Sequence, residues 1–166
     1  MNRTELFVKH FYYALNTYFP NQLSIEKISQ KLNLSIIYWP YTSEITHYNG
    51  IYKMFINENL NKKQQWQDFG HEIGHFLLHE GNQTNMYRLF LGFQEKQADY
   101  FAYHFCVPTF MLMELKEVTI YDLMNLFNVE YDFAFRRLEM YRSKILSRRN
   151  EVGQFQKTWE DLAIHH

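Results

Sequence analysis

His71, Glu72 and His75 stand in one five-residue run, His71-Glu72-Ile73-Gly74-His75, within a stretch whose apolar residues recur at helical spacing. On a helix, residues four apart are one turn along and about 40° round from each other, so both imidazoles reach the same point. Zinc accepts neutral imidazole nitrogens readily. Glu72 is offset from His71 by about 100°, too far round to bind an ion in the same way. Its carboxylate is placed instead to take a proton from a water polarised at that centre, the work of a general base. A shuffled chain of this composition produces such a run about 3% of the time, so its surroundings matter. The run lies mid-helix behind a strand, with an apolar stripe to bury the opposite face.

A peptidase zinc takes three protein ligands and keeps a fourth position open. Glu95 is the candidate third ligand, at the head of Glu95-Lys96-Gln97-Ala98-Asp99-Tyr100-Phe101-Ala102. Asp99 lies one turn further on the same face, where it can accept a hydrogen bond from the outer nitrogen of a ligating histidine and fix its tautomer. Without the histidines both acids would read as an ordinary solvated helix face. His79 continues the series, but about 12 Å along the helix from His71 is too far to share an ion. His104 is about 180° round from Glu95 on its helix and reads as structural. Tyr87 and Tyr103 are candidates, by residue type alone, to stabilise an oxyanion.

The elements that must position these residues can be read in order. Asn2-Arg3-Thr4-Glu5 resembles a capping box, followed by Phe7, Phe11, Ala14, Leu15 and Tyr18 at helical spacing until Pro20. Ser24 can cap a short helix with Ile25, Ile28 and Leu32, and Leu34 to Trp39 reads as a strand ended by Pro40. Tyr41 to Asn49 reads as polar connection, Asn49-Gly50 as a turn, and Ile51 to Ile56 as a strand, taken as an exposed edge that could hold an extended substrate. Asn59 or Asn61 can cap the helix that runs to about Leu78, with Trp66, Phe69, Ile73, Phe76 and Leu77 as its apolar stripe. Gly81 to Gly92 reads as a loop, then helices from about Phe93 to Cys106, Thr109 to Lys116, Thr119 to Phe127 and Glu130 to about Arg148. The fold class is α+β, a mostly helical zincin-like core with a small sheet of two to three strands. The expected organisation is one domain over residues 1–150, with a zinc core at about 23–116, a helical part at about 117–150, and a tail at 151–166.

Composition narrows the classes of function. The chain has 166 residues, 46% of them apolar, enough for one sizeable core, and its 15 Phe and 13 Tyr make that core rich in ring packing. A formal net charge of -1 argues against wholesale phosphate neutralisation, so direct nucleic-acid binding is not expected. The single cysteine, Cys106, has no partner for a disulfide or a zinc ribbon, reads as a small buried apolar side chain, and suits the cytoplasm. No leader segment and no stretch long enough to span a membrane is evident. The terminal His165-His166 pair is given no role.

With these residues in place, the sequence resembles the ImmA/IrrE family of zinc metallopeptidases. The likeness rests on Gly50 to Asn57, the His71 to His75 run with Phe76-Leu77-Leu78-His79, the Glu95 to Ala102 segment, and Val107-Pro108 closing that helix. It covers about Leu23 to Leu138, and Ile120 to Met140 resembles the family's small helical segment after the core. The family's Leu-Leu-Met-Pro-like ending is replaced by Phe105-Cys106-Val107-Pro108, a change of packing. The resemblance implies zinc ligands His71, His75 and Glu95, catalytic Glu72, and one Zn2+ per chain. It further implies a protein substrate, a helix-turn-helix transcriptional repressor of a phage, mobile element or stress response.

Two other readings compete. One is a non-catalytic, zinc-stabilised regulator that binds a repressor or DNA without cleavage; retention of Glu72 argues against it, since a structural site needs ligands but no base. The other is a DNA-binding protein, in which Ile120 to Phe127 and Glu130 to Tyr141 imitate a helix-turn-helix. Arg136, Arg137, Arg142, Lys144, Arg148 and Arg149 would then form a basic face.

Overall fold

A computed structural model describes the backbone of residues 1–48, 51–78 and 88–163, and the side chains of 1–47, 51–78 and 91–147. The expected Asn49-Gly50 turn, His79, Tyr87, most of the Gly81 to Gly92 loop, and the His165-His166 pair lie outside the described residues.

Helix α1 spans Arg3–Ala14 and starts with the capping box: Asn2 Oδ1 accepts the Glu5 N–H at 2.9 Å, and the Asn2 N–H donates to Glu5 Oε2 at 2.6 Å. A short 3-10 turn, Pro20–Gln22, leads to α2, Ile25–Leu32, capped by Ser24. Asn16, Asn33 and Asn128 all take positive φ (49°, 52° and 54°), each at a helix end. Asn tolerates the left-handed region that ends a helix, which is why α1 stops at Ala14 and not near Pro20.

Three strands follow: β1, Ser35–Trp39; β2, Glu44–Tyr48; and β3, Ile51–Asn57. They form one sheet in the order β1-β3-β2, with β1 parallel and β2 antiparallel to β3. Two expectations are corrected here. Residues 44–48 form a strand where polar connection was expected, and β3 is the central strand, not an edge. With hydrogen-bonded neighbours on both sides β3 cannot accept a further strand, whereas among the described residues β2 pairs on one side only.

Met54 and Ile56 of β3 are fully buried against α3, Lys62–Leu78, while Ile51 on the other face is exposed. Asn61 caps α3, accepting from the N–H groups of Lys63 and Gln64 at 2.9 and 3.1 Å. Helix α4, Arg88–Cys106, packs along α3; its first turns occupy Arg88 to Gly92, where a loop was expected. Gly92 suggested a break, yet it is exposed and sits in the helix with no atom near its missing side chain. A single glycine costs a helix about 1 kcal/mol, which the packing of the rest outweighs.

Trp66, Phe69, Phe101 and Phe105 are buried between α3 and α4, and Tyr12 of α1 closes on them, its hydroxyl donating to the Phe105 carbonyl at 2.9 Å. Cys106 is buried here too, with Sγ against the Trp66 carbonyl. The chain ends in α5, Thr109–Leu112, α6, Ile120–Leu126, and α7, Tyr131–Ala163. Helix α7 runs on past Arg148 through much of the stretch expected as a tail. No helix among the described residues is long and apolar enough to cross a membrane.

The basic face that the competing DNA-binding reading needs on α7 does not form as a unit among the described residues. Arg137 is fully buried, Lys144 pairs with the buried Glu5, and Arg136 lies 3.5 Å from Glu139; the side chains of Arg148 and Arg149 lie outside the described residues.

Candidate metal centre

The helix pair α3/α4 brings the candidate ligands together because small residues line its closest approach. A Cβ on Gly74 would sit 3.1 Å from the Ala98 Cα, and one on Gly70 would sit 2.7 Å from Cys106 Sγ. Gly70 and Gly74, one turn apart, thus let α3 lie against Ala98 and Ala102 of α4. His71 and His75, one position further round, then face Glu95 across the groove.

The donor atoms cluster tightly. His71 Nε2 and His75 Nε2 are 3.0 Å apart, and the Glu95 carboxylate places Oε2 at 3.3 Å from His71 Nε2 and Oε1 at 3.4 Å from His75 Nε2. Two ligands each about 2.1 Å from a tetrahedral zinc are about 3.4 Å apart, so the set fits that ion. It is the one such cluster of acidic, histidine or cysteine side chains among the described residues. Asp99 Oδ1 lies 2.9 Å from His71 Nδ1, which directs that ring's proton to Nδ1 and leaves Nε2 with its lone pair. The Glu95 side chain is 52% exposed against 23% for His71 and 11% for His75, so the α4 donor is the more exposed part of the centre.

Glu72, next to His71 on α3, reaches β2. Its Oε2 accepts the Ile45 backbone N–H at 3.0 Å. Burial pushes its carboxyl up to about 8, against the pull of the Ile45 N–H and with the nearby acids Asp68, Glu95 and Glu44 adding to the rise. A carboxyl so disposed holds or releases a proton near neutrality.

His104 is buried on the far side of α4, 2% exposed, and takes no part in the cluster. Tyr103 is half-buried, its ring 4.5 Å from that of Phe133; burial and then the Asp99 carboxylate raise its hydroxyl above the usual tyrosine range. Sequence reasoning missed Ile45, Gly70 and the pair Ser43 and Asp68. Ile45 acts through its backbone, which residue type does not reveal, and Gly70 was legible only as half of an i, i+4 small pair with Gly74.

Residues 26–139 match the peptidase M78 family, described as the IrrE N-terminal-like domain, close to the Leu23 to Leu138 span expected from motifs. The phage-like element PBSX protein XkdA of Bacillus subtilis (strain 168) is 35% identical over 170 aligned positions, covering 99% of this chain and 83% of that protein. The uncharacterized protein YqaB of the same organism is 31% identical over 146, covering 85% of each.

Proposed function

Because the chain belongs to the IrrE N-terminal-like family of M78 peptidases, we propose that it is a zinc-dependent endopeptidase that cuts a protein of a phage-like or other mobile element, a helix-turn-helix transcriptional repressor being the substrate class. The observation that carries this reading is the coincidence of His71, His75 and Glu95 at tetrahedral spacing with a half-buried carboxyl, Glu72, on the same helix. A binding-only zinc site would have no use for the last of these.

His71, His75 and Glu95 would hold the ion, and Asp99 would orient His71. When bound, zinc supplies Lewis acidity to a peptide carbonyl and makes water a better nucleophile near neutral pH. Glu72 would accept the proton of the attacking water and return it to the leaving amine. Among the described residues β2 pairs only with β3, and its other side, next to Glu72, would offer the backbone N–H and C=O of His47 to an extended segment of substrate. A repressor would present such a segment in a linker or a frayed element.

The test is elemental analysis of the purified protein and its variants, beside incubation with a repressor encoded by the same element. One zinc per chain in wild type and Glu72→Gln, lost in His75→Ala and Glu95→Ala, with cleavage by wild type alone, supports the reading. Zinc without cleavage of any repressor would turn it into the binding-only regulator, and no zinc after metal is supplied would end it.

A further inference from the structure

Strand β2 is tied to α3 at two points. Ser43, buried and one residue before the strand, donates its hydroxyl to Asp68 Oδ2 at 2.6 Å and accepts the Asn57 N–H at 3.1 Å. One hydroxyl therefore joins the start of β2, the end of β3 and the middle of α3. Two residues on, the Ile45 N–H donates to Glu72 at 3.0 Å.

The two contacts fit one register only. Asp68 and Glu72 are four apart on a helix, a rise of about 6 Å, and Ser43 and Ile45 are two apart on extended chain, about 6.8 Å. In an antiparallel pair, outward-facing positions alternate, so an Ile45 N–H turned toward Glu72 puts the N–H and C=O of His47 on the side away from β3 as well. A slip by one residue would turn the Ile45 N–H toward β3 and leave Glu72 without a donor. Little else specifies this register from sequence: Ile45 is the one aliphatic side chain that β2 directs at α3, and a strand with so weak an apolar pattern is prone to slip.

We propose that Ser43 and Asp68 are a positioning pair that sets the register of β2 against α3, and thereby both aims Glu72 and presents the outward groups of His47 to an extended peptide. The catalytic half of this rests on the peptidase reading above; the register half stands on geometry alone. Neither residue meets the metal ligands, so zinc content is expected to stay the same when they change.

The experiment uses the zinc-loaded full chain and its Ser43→Ala, Asp68→Ala and Asp68→Asn variants, the last keeping an oxygen that can accept from Ser43. Amide hydrogen exchange read residue by residue by NMR is expected to quicken at Ile45 at least tenfold in both alanine variants, and at Asn57 in Ser43→Ala. Asp68→Asn should stay near wild type, and Ile73 in the core of α3 should not change in any variant. Cleavage of a mixture of short unstructured peptides should fall about tenfold in kcat/KM in the alanine variants and recover in Asp68→Asn, at one zinc per chain throughout. An Ile45 amide that exchanges at the wild-type rate in both alanine variants would overturn the proposal, as would an equal rise at Ile73, which signals general loosening. If wild type holds zinc and cuts neither the peptides nor the repressor while Ile45 responds as described, the peptidase reading fails and the register assignment stands.

Discussion

Glu5 and Glu72 are the same side chain in a buried and a half-buried setting, and the fold moves them in opposite directions. At Glu5, burial would raise the carboxyl, but Lys144, the Asn2 N–H and the Thr109 hydroxyl outweigh it and hold it down to about 2. Arg137 extends the group: its Nη2 donates to Thr109 Oγ1 at 2.8 Å, and its Nε donates to the Tyr103 and Val107 carbonyls at the end of α4. At Glu72, burial meets a single backbone donor and three neighbouring acids, and the carboxyl rises to about 8. The first acid is given all the donors it needs and joins α1, α4, α5 and α7 into one body. The second is left short of positive charge, on the helix that carries two of the three side chains that could hold a cation. A buried polar group that is satisfied builds structure, and one that is left wanting is available for chemistry.

The largest effect that separates the two should come from neutral substitution. Glu72→Gln keeps the shape and the contact with Ile45 but cannot carry a proton, and it should lower cleavage by about 10³-fold with zinc content unchanged. Arg137→Met should do the reverse, lowering stability by about 4 kcal/mol through the orphaned carbonyls of α4 and the loss of a buried charge near Glu5, with residual folded protein still binding zinc. Denaturant melts beside elemental analysis measure both. Equal damage to zinc content from the two would mean that they are not separate devices.

How much of this contrast could be read from sequence depends on what carried each signal. His71, Glu72, His75, Glu95 and Asp99 were legible because helical periodicity converts spacing directly into direction, and α3 and α4 were long enough to fix it. Strand β2 was not: Glu44-Ile45-Thr46-His47-Tyr48 directs only Ile45 and His47 at α3, too little apolar pattern to distinguish it from a loop. The place of β3 in the sheet followed from that miss, since a central strand is recognised only once both neighbours are known. The polar cluster was hidden for a different reason. Arg137 and Lys144 look like surface charges until Glu5, more than 130 residues away in sequence, is brought to them by α1, and no local pattern records such a pairing.

Acidity provides the next, smaller separation. In metal-free protein, Glu72 is raised above its unfolded value near 4.5, so the stability it lends is complete below that pH and is lost as pH rises through about 8. Glu5 is depressed, so its contribution is present above 4.5 and is lost as pH falls through about 2. Melting temperature followed with a chelator present should therefore decline between pH 4.5 and 8 in wild type and not in Glu72→Gln, whereas Glu5→Gln should flatten the acid limb alone. Added zinc should reverse the alkaline decline, since binding at about 1,000 times Kd contributes about 4 kcal/mol. A decline that persists in Glu72→Gln would assign it to another group.

The smallest effect concerns a residue between the two regions. His104 is 2% exposed, and neither ring nitrogen has a hydrogen-bond partner among the described residues. Burial, and then Arg137 nearby, lower it to about 3, so it is neutral in the folded protein at ordinary pH. Unlike Glu5, it belongs to the structural side of α4 without being satisfied there; unlike Glu72, it has no opening to a ligand. His104→Leu removes two unpaired polar atoms, worth about 1–3 kcal/mol, and gives up an edge contact with Tyr100 at 4.7 Å, worth about 1 kcal/mol. The net gain should be about 1 kcal/mol, or about 3 °C in melting temperature at pH 7. The variant should also lose the part of the acid limb between pH 6.5 and 3, where protonation of an unfolded histidine opposes folding. A loss of stability instead would mean that the ring is bridged to Arg137 Nη1, the other unpaired nitrogen nearby, by a buried water, and that the cluster around Glu5 reaches further along α4 than its direct bonds.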